Sequence, residues 1–142
     1  MIEIFFDGLC APINPGGVAT YGFVVYRAGK KLGEGQGVVG EGKGMTNNVA
    51  EYNGILHAVD FVLKSYPGEK DITIRGDSQL VARQMAGEYK LISETARKYA
   101  PIIRRMLEGK NVKFQWIPRE ENSEADSLTK KAYERHIHAK KR

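Results

Sequence analysis

Residues 46–64, TNNVAEYNGILHAVDFVLK, carry apolar side chains at Val49, Tyr52, Ile55, Leu56, Val59, Val62 and Leu63. Side chains three and four positions apart share one stripe of an α-helix, so the stretch predicts an amphipathic helix laid on a core. Thr46, Asn47 and Asn48 are residue types that cap a helix start. Glu51 lies one turn in, just off the stripe. It has two readings: a capping box with Asn48, or a carboxylate held at the core's edge for partners elsewhere in the chain.

Outward from this helix, the chain alternates strands and helices. Residues 2–7 read as a strand stopping at Asp7 and Gly8, followed by a loop of turn formers (Pro12, Asn14, Pro15, Gly16, Gly17). Residues 19–26 predict a second strand and 31–40 its hairpin partner, with a tight turn at 28–30. Gly33, Gly35, Gly37 and Gly40 mark that partner as an edge or a bulged strand. Beyond the helix, residues 71–76 predict a short strand ending at Asp77. Helices are expected over 79–85 and over 93–107, where Pro101 predicts a kink or a boundary. Residues 111–117 alternate as a strand with Val112, Phe114 and Trp116 on one face, and a last helix starts at Asn122 or Ser123.

The order β-β-β-α-β-α-α-β-α implies one α/β layer. Three strands joined by tight turns must be antiparallel, and the two reached across helices are expected parallel to the first by right-handed crossovers. The expected fold is therefore a mixed five-stranded sheet flanked by helices.

A chain of 142 residues, 42% hydrophobic and 27% charged, suits one soluble domain. No run approaches the roughly 18 apolar residues of a membrane helix, so no membrane partner is expected. One cysteine, Cys10, and no secretory pattern at the N-terminus point to a reducing, cytoplasmic setting. Residues 130–142 hold six basic side chains against Glu134 and so account for the whole net charge of +5. The expected division is a domain over 1–133 and a basic tail over 134–142, either a solvated end or a non-specific attractor of polyphosphate.

Asp7, Asp77 and Asp126 each stand at an expected element end. Each has a local explanation: a turn at Asp7–Gly8, an N-cap at Asp77, a capping box of Ser123 with Asp126. Taken together they suggest a site. Parallel neighbouring strands place Asp7 and Asp77 side by side at the end of an α/β sheet where sites form, and helix starts can bring in Glu51 and Asp126. Four close carboxylates repel unless a cation neutralises them. Oxygen donors suit Mg²⁺ or Mn²⁺, and the scattered Cys10, His57, His136 and His138 offer no zinc set.

Four segments carry a resemblance: Phe6-Asp7-Gly8, Thr46-Asn47-Asn48 with Glu51, Asp77-Ser78-Gln79, and Arg119 through Asn122 with Ala125-Asp126. In this order they resemble the signature segments of type 1 ribonuclease H, over residues 1 to about 132. The resemblance implies an endonuclease that hydrolyses the RNA strand of RNA/DNA hybrids with two metal ions, leaving 5′-phosphate and 3′-hydroxyl ends. It implies Asp7, Glu51, Asp77 and Asp126 as catalytic metal ligands. Asp7 would be shared by both ions, Asp126 would lie on the nucleophile side, and Glu51 and Asp77 on the other. It also implies substrate contacts at Gly8, Cys10, Asn14, Thr46, Asn47, Asn48 and Gln79, in a monomer.

Two departures from the family accompany the resemblance. No histidine-bearing loop precedes Asp126, so Arg119 or Glu120 is the expected product-release helper. Residues 87–93 are too short for a basic handle, as in archaeal-like short forms, which leaves Arg83, Lys90, Arg97, Lys98 and the tail to grip a substrate. Double-stranded RNA stays open as a further substrate. The rival readings are a related nuclease acting on branched DNA and a non-catalytic nucleic-acid-binding module.

Overall fold

The computed structural model describes residues 1–141. Its elements run β1 (Ile2–Ala11), β2 (Val18–Arg27), β3 (Lys30–Glu41), α1 (Asn47–Ser65), β4 (Asp71–Gly76), α2 (Gln79–Met85), α3 (Glu94–Met106), β5 (Asn111–Trp116) and α4 (Ser123–Lys140), with a single 3₁₀ turn at Arg119–Glu121 before α4. The sheet order is β3-β2-β1-β4-β5. The first three strands pair antiparallel, and β4 and β5 extend the sheet in parallel from β1, as expected. Ala28 and Gly29, both at positive φ, turn β2 into β3 in the two-residue manner that matches strand twist.

Alternation along β1 sends Ile2, Ile4 and Phe6 into the core beneath α1, where they meet Tyr52, Ile55, Val59 and Val62 of the helix stripe. Ile72 and Ile74 of β4 and Ile103 of α3 complete that side. Helix α4 packs on the opposite face, where Thr20 Oγ1 of β2 donates to the Thr129 carbonyl at 2.9 Å. Gly22 permits the approach, since a Cβ there would stand 2.6 Å from the Ala125 carbonyl oxygen. Pro101 lies within α3 without ending it, on the helix's exposed side.

Two expectations need correction. Strand β1 does not stop at Asp7 but continues to Ala11 against β2; only the parallel ladder with β4 stops, at Phe6 opposite Gly76. The antiparallel partner carries the strand past a dipeptide that locally favours a turn. The basic tail is not a frayed end either. Helix α4 runs unbroken across Glu134 to Lys140, and Glu41 at the end of β3 receives His136 Nε2 at 3.0 Å and Lys140 Nζ at 2.6 Å. Of the tail, Arg142 lies outside the described residues. No helix among the described residues is long and apolar enough to cross a membrane.

Candidate active site

Asp7 and Asp77 are each the first residue beyond the last β1–β4 pair, so the two carboxylates flank the point where those strands part. Close approach of α1 brings in Glu51. A Cβ at Gly8 would lie 2.3 Å from the Glu51 backbone nitrogen, so only glycine lets β1 and α1 meet there. Carboxylate oxygens of Asp7, Glu51 and Asp77 fall within 4.8 Å of one another. Asp126, in the first turn of α4, is not one of these three but stands near enough for its charge to act on Asp7.

None of the local explanations survives. Thr46 caps α1, its hydroxyl accepting from the Val49 N–H at 3.1 Å, so Asn48 and Glu51 form no capping box. Ser78, not Asp77, caps α2. Asn122 precedes α4 as its cap, which removes the box of Ser123 with Asp126. Asp7 lies within a continuous strand.

The electrostatics are those of a cluster short of positive charge. Asp7 is 6% and Glu51 7% exposed. Burial, then the Asp77 and Asp126 charges, push the Asp7 carboxyl up to about 8. Burial, then Asp7 and Asp77, hold Glu51 well above the ordinary carboxylate range. Glu51 Oε2 is buried with no hydrogen-bond partner. An acceptor left unpaired inside a protein is costly, and one aligned with two more carboxylates marks a place for a cation. The nearby cations do not meet that need. Lys130 pairs with Asp126 at 3.0 Å, and Arg119 Nε stays 3.8 Å from Asp77 with 87% of its side chain exposed. Hard oxygen donors of this kind fit a divalent ion such as Mg²⁺ or Mn²⁺.

A pH prediction follows. Asp7 binds a proton in the folded chain that the unfolded chain releases at ordinary carboxylate pH, so stability falls as pH rises toward about 8. Glu51 acts in the same direction. In EDTA, melting temperature is expected to fall between about pH 5.5 and pH 8.5. Millimolar Mg²⁺ should restore more of it at the higher pH, and calorimetric melts at both values check this.

The remaining expected residues line the same edge. Asn47 Oδ1 accepts from the Cys10 N–H at 2.7 Å, and Asn14 Oδ1 accepts from the Asn47 N–H at 3.1 Å. Both amide oxygens are thus engaged within the chain, while both residues are exposed. Cys10 is buried, its thiol directed to the Ile13 carbonyl. Asn48 is half-buried and Gln79 exposed. Glu120 is exposed on the 3₁₀ turn beside Arg119. His57 stacks on Tyr21 with ring centroids 4.2 Å apart, away from the acids. Sequence reasoning missed Lys130, whose spacing of four from Asp126 was the available signal, and Asn122, whose side chain donates to the Phe6 carbonyl at 2.9 Å.

Residues 15–132 match the family model described as Reverse transcriptase-like. Ribonuclease HI of Halobacterium salinarum is 32% identical over 132 residues, covering 92% of this chain and 63% of that protein. A bifunctional protein of Mycobacterium tuberculosis is 34% identical over 122 residues, 84% of this chain and 32% of its own length. The chain therefore spans about a third of the mycobacterial relatives it matches. Among solved structures, RNase H1 of Halobacterium salinarum superposes with a TM-score of 0.83 at 30% identity, covering 94% of this chain and 97% of that one. LC11-RNase H1, isolated from compost and solved in complex with an RNA/DNA hybrid, gives 0.86 at 32% identity, covering 96% and 99%. With the carboxylates of Asp7, Glu51 and Asp77 gathered at one sheet edge, the chain belongs to the type 1 ribonuclease H family.

Proposed function

We propose that the chain is an endonuclease that hydrolyses the RNA strand of RNA/DNA hybrids, using two divalent ions, Mg²⁺ with Mn²⁺ as an alternative, and leaving 5′-phosphate and 3′-hydroxyl ends. The observation that carries this reading is the cluster of Asp7, Glu51 and Asp77 with its unpaired Glu51 oxygen. The hybrid-bound LC11-RNase H1 supports the substrate class. Bound divalent ions supply an activated water and charge neutralisation at the leaving 3′ oxygen.

The chain's own residues hold and orient. Asp7, Glu51, Asp77 and Asp126 would hold the ions, with Asp7 common to both positions, Asp126 serving one, and Glu51 and Asp77 the other. The exposed Asn14 and Asn47, whose amide oxygens are already engaged, have Nδ2 groups left to donate to backbone phosphates, with Thr46 and Asn48 beside them. Gln79 and the Gly8–Cys10 edge face the RNA strand, where the 2′-hydroxyl separates RNA from DNA. The chain acts as a monomer on one hybrid. The test is cleavage of labelled RNA paired with DNA, against the same RNA in an RNA duplex and a branched DNA. Divalent-dependent cutting with preference for the hybrid is expected; cutting without a divalent ion, or preference for branched DNA, contradicts the reading.

Arg119 takes the product-release role, because it stands beside Asp77 on a short exposed turn. Arg119→Ala is expected to lower multiple-turnover rate about three- to tenfold while single-turnover rate stays within about twofold. Glu120→Ala should act more weakly. Full turnover in both variants would remove the assignment.

A further inference from the structure

The four acids come from four regions of the chain, β1, α1, the end of β4 and α4, and one side chain ties two of those regions together. Asn122 is 1% exposed and stands at the N-terminus of α4. Its backbone carbonyl accepts the first helical bond, from the Asp126 N–H at 3.1 Å. Its Nδ2 donates at 2.9 Å to the carbonyl of Phe6, the residue before Asp7. That contact falls where β4 parts from β1, the point at which Asp7 loses a neighbour on one side.

The amide does this at a local cost. A side chain in the cap position ordinarily turns its oxygen onto the N–H groups of the first turn. Asn122 makes no such bond, and its Oδ1 is left buried without a partner. Rotating the amide by half a turn would set its oxygen against the Phe6 carbonyl oxygen and lose the bond, so the donor must face Phe6. The cap bond has been given up for the strand bond.

We propose that Asn122 is a positioning residue that sets Asp126 against Asp7 and thereby tunes the cluster's affinity for divalent ions. This rests on the reading of the cluster as the active site. Asn122 touches no reacting atom; it acts through the Phe6–Asp7 backbone on one side and the first turn of α4 on the other. Other polar contacts hold α4 to the sheet, among them Thr20 Oγ1 to the Thr129 carbonyl, Tyr26 to Glu124 and Lys140 to Glu41, but they anchor the helix to β2 and β3 and not to the Phe6–Asp7 backbone.

The test is calorimetric titration of the full chain with Mn²⁺, without nucleic acid, for wild type, Asn122→Ala, Asn122→Ser and Thr20→Val. Serine keeps a capping side chain but is one bond too short to replace the Nδ2 donor, so it guards against a poorly folded alanine variant. Both Asn122 variants should bind Mn²⁺ about tenfold more weakly, within the range seen when groups behind metal ligands are removed. On the hybrid, kcat should fall by a similar factor with KM within about twofold. Thr20→Val, which loosens α4 elsewhere, should lower melting temperature but hold Mn²⁺ affinity within about twofold. Unchanged Mn²⁺ affinity in both Asn122 variants, an equal loss in Thr20→Val, or no measurable Mn²⁺ binding by wild type would overturn the proposal. Should wild type bind Mn²⁺ yet leave the hybrid uncut, the proposed reaction fails while the titration still decides the role of Asn122.

Discussion

Asp7→Asn is expected to lower Mg²⁺-dependent hybrid cleavage by at least about a thousandfold, equivalent to about 4 kcal/mol of barrier. Asp7 is the acid the others surround: Asp77 and Asp126 both raise its proton affinity, and it raises that of Glu51. In the proposed site, removing its charge would remove the one ligand common to the ion positions. The same substitution should stabilise the metal-free protein, because a nearly isosteric amide takes away a buried charge that lacks a counter-ion. A melting temperature about 5 °C above wild type is expected near pH 8 in EDTA, shrinking as pH falls toward the ordinary carboxylate range. Activity lost while stability rises separates a functional ligand from a structural one. A destabilised Asp7→Asn protein at pH 8 would mean that the carboxylate is satisfied within the fold.

Gly8→Ala is the second large effect. The added methyl would lie 2.3 Å from the Glu51 nitrogen and 2.5 Å from the Ala50 carbonyl carbon, both backbone atoms. Neither can swing aside as a side-chain tip would, so strand or helix must shift. The expected cost is about 3 kcal/mol, at the upper end for overpacking, or roughly a 10 °C loss in melting temperature. The shift separates Glu51 from Asp7, so hybrid cleavage should fall by at least about a hundredfold even where the variant is fully folded. Gly68→Ala is the control: no atom lies within 4 Å of its added Cβ, and both measurements should stay near wild type. Denaturation melts with cleavage assays below the transition check both variants.

What was legible in the sequence was whatever depends on near neighbours or on repeated pattern. The stripe from Val49 to Val62 predicted α1, and the element order predicted the sheet, because periodicity and connection length are local properties. The acids stood out because Asp7 and Asp77 sit at expected strand ends and Glu51 and Asp126 near expected helix starts. Distant partners were not legible. Asp7–Gly8 resembled a turn, and only pairing with Gly22 and Tyr21 of β2 shows why the strand continues. The last basic residues resembled a solvated tail until Glu41, nearly a hundred residues away, was seen to receive His136 and Lys140. Asn48 looked as good a cap as Thr46; backbone geometry chose Thr46 and placed Asn48, half-buried, in the first turn of the helix. Asn122 belongs to the last signature segment, but its bond to Phe6 spans 116 positions and has no local signature.

The measurement that bears most directly on the whole account is a Mg²⁺ titration of wild-type cleavage, using an end-labelled RNA annealed to DNA, with the product ends mapped. Internal cuts in the RNA strand alone, absent in EDTA, rising with Mg²⁺ and leaving 5′-phosphate and 3′-hydroxyl termini, are the predicted result. An intact hybrid across the titration, or cutting that persists in EDTA, would contradict it.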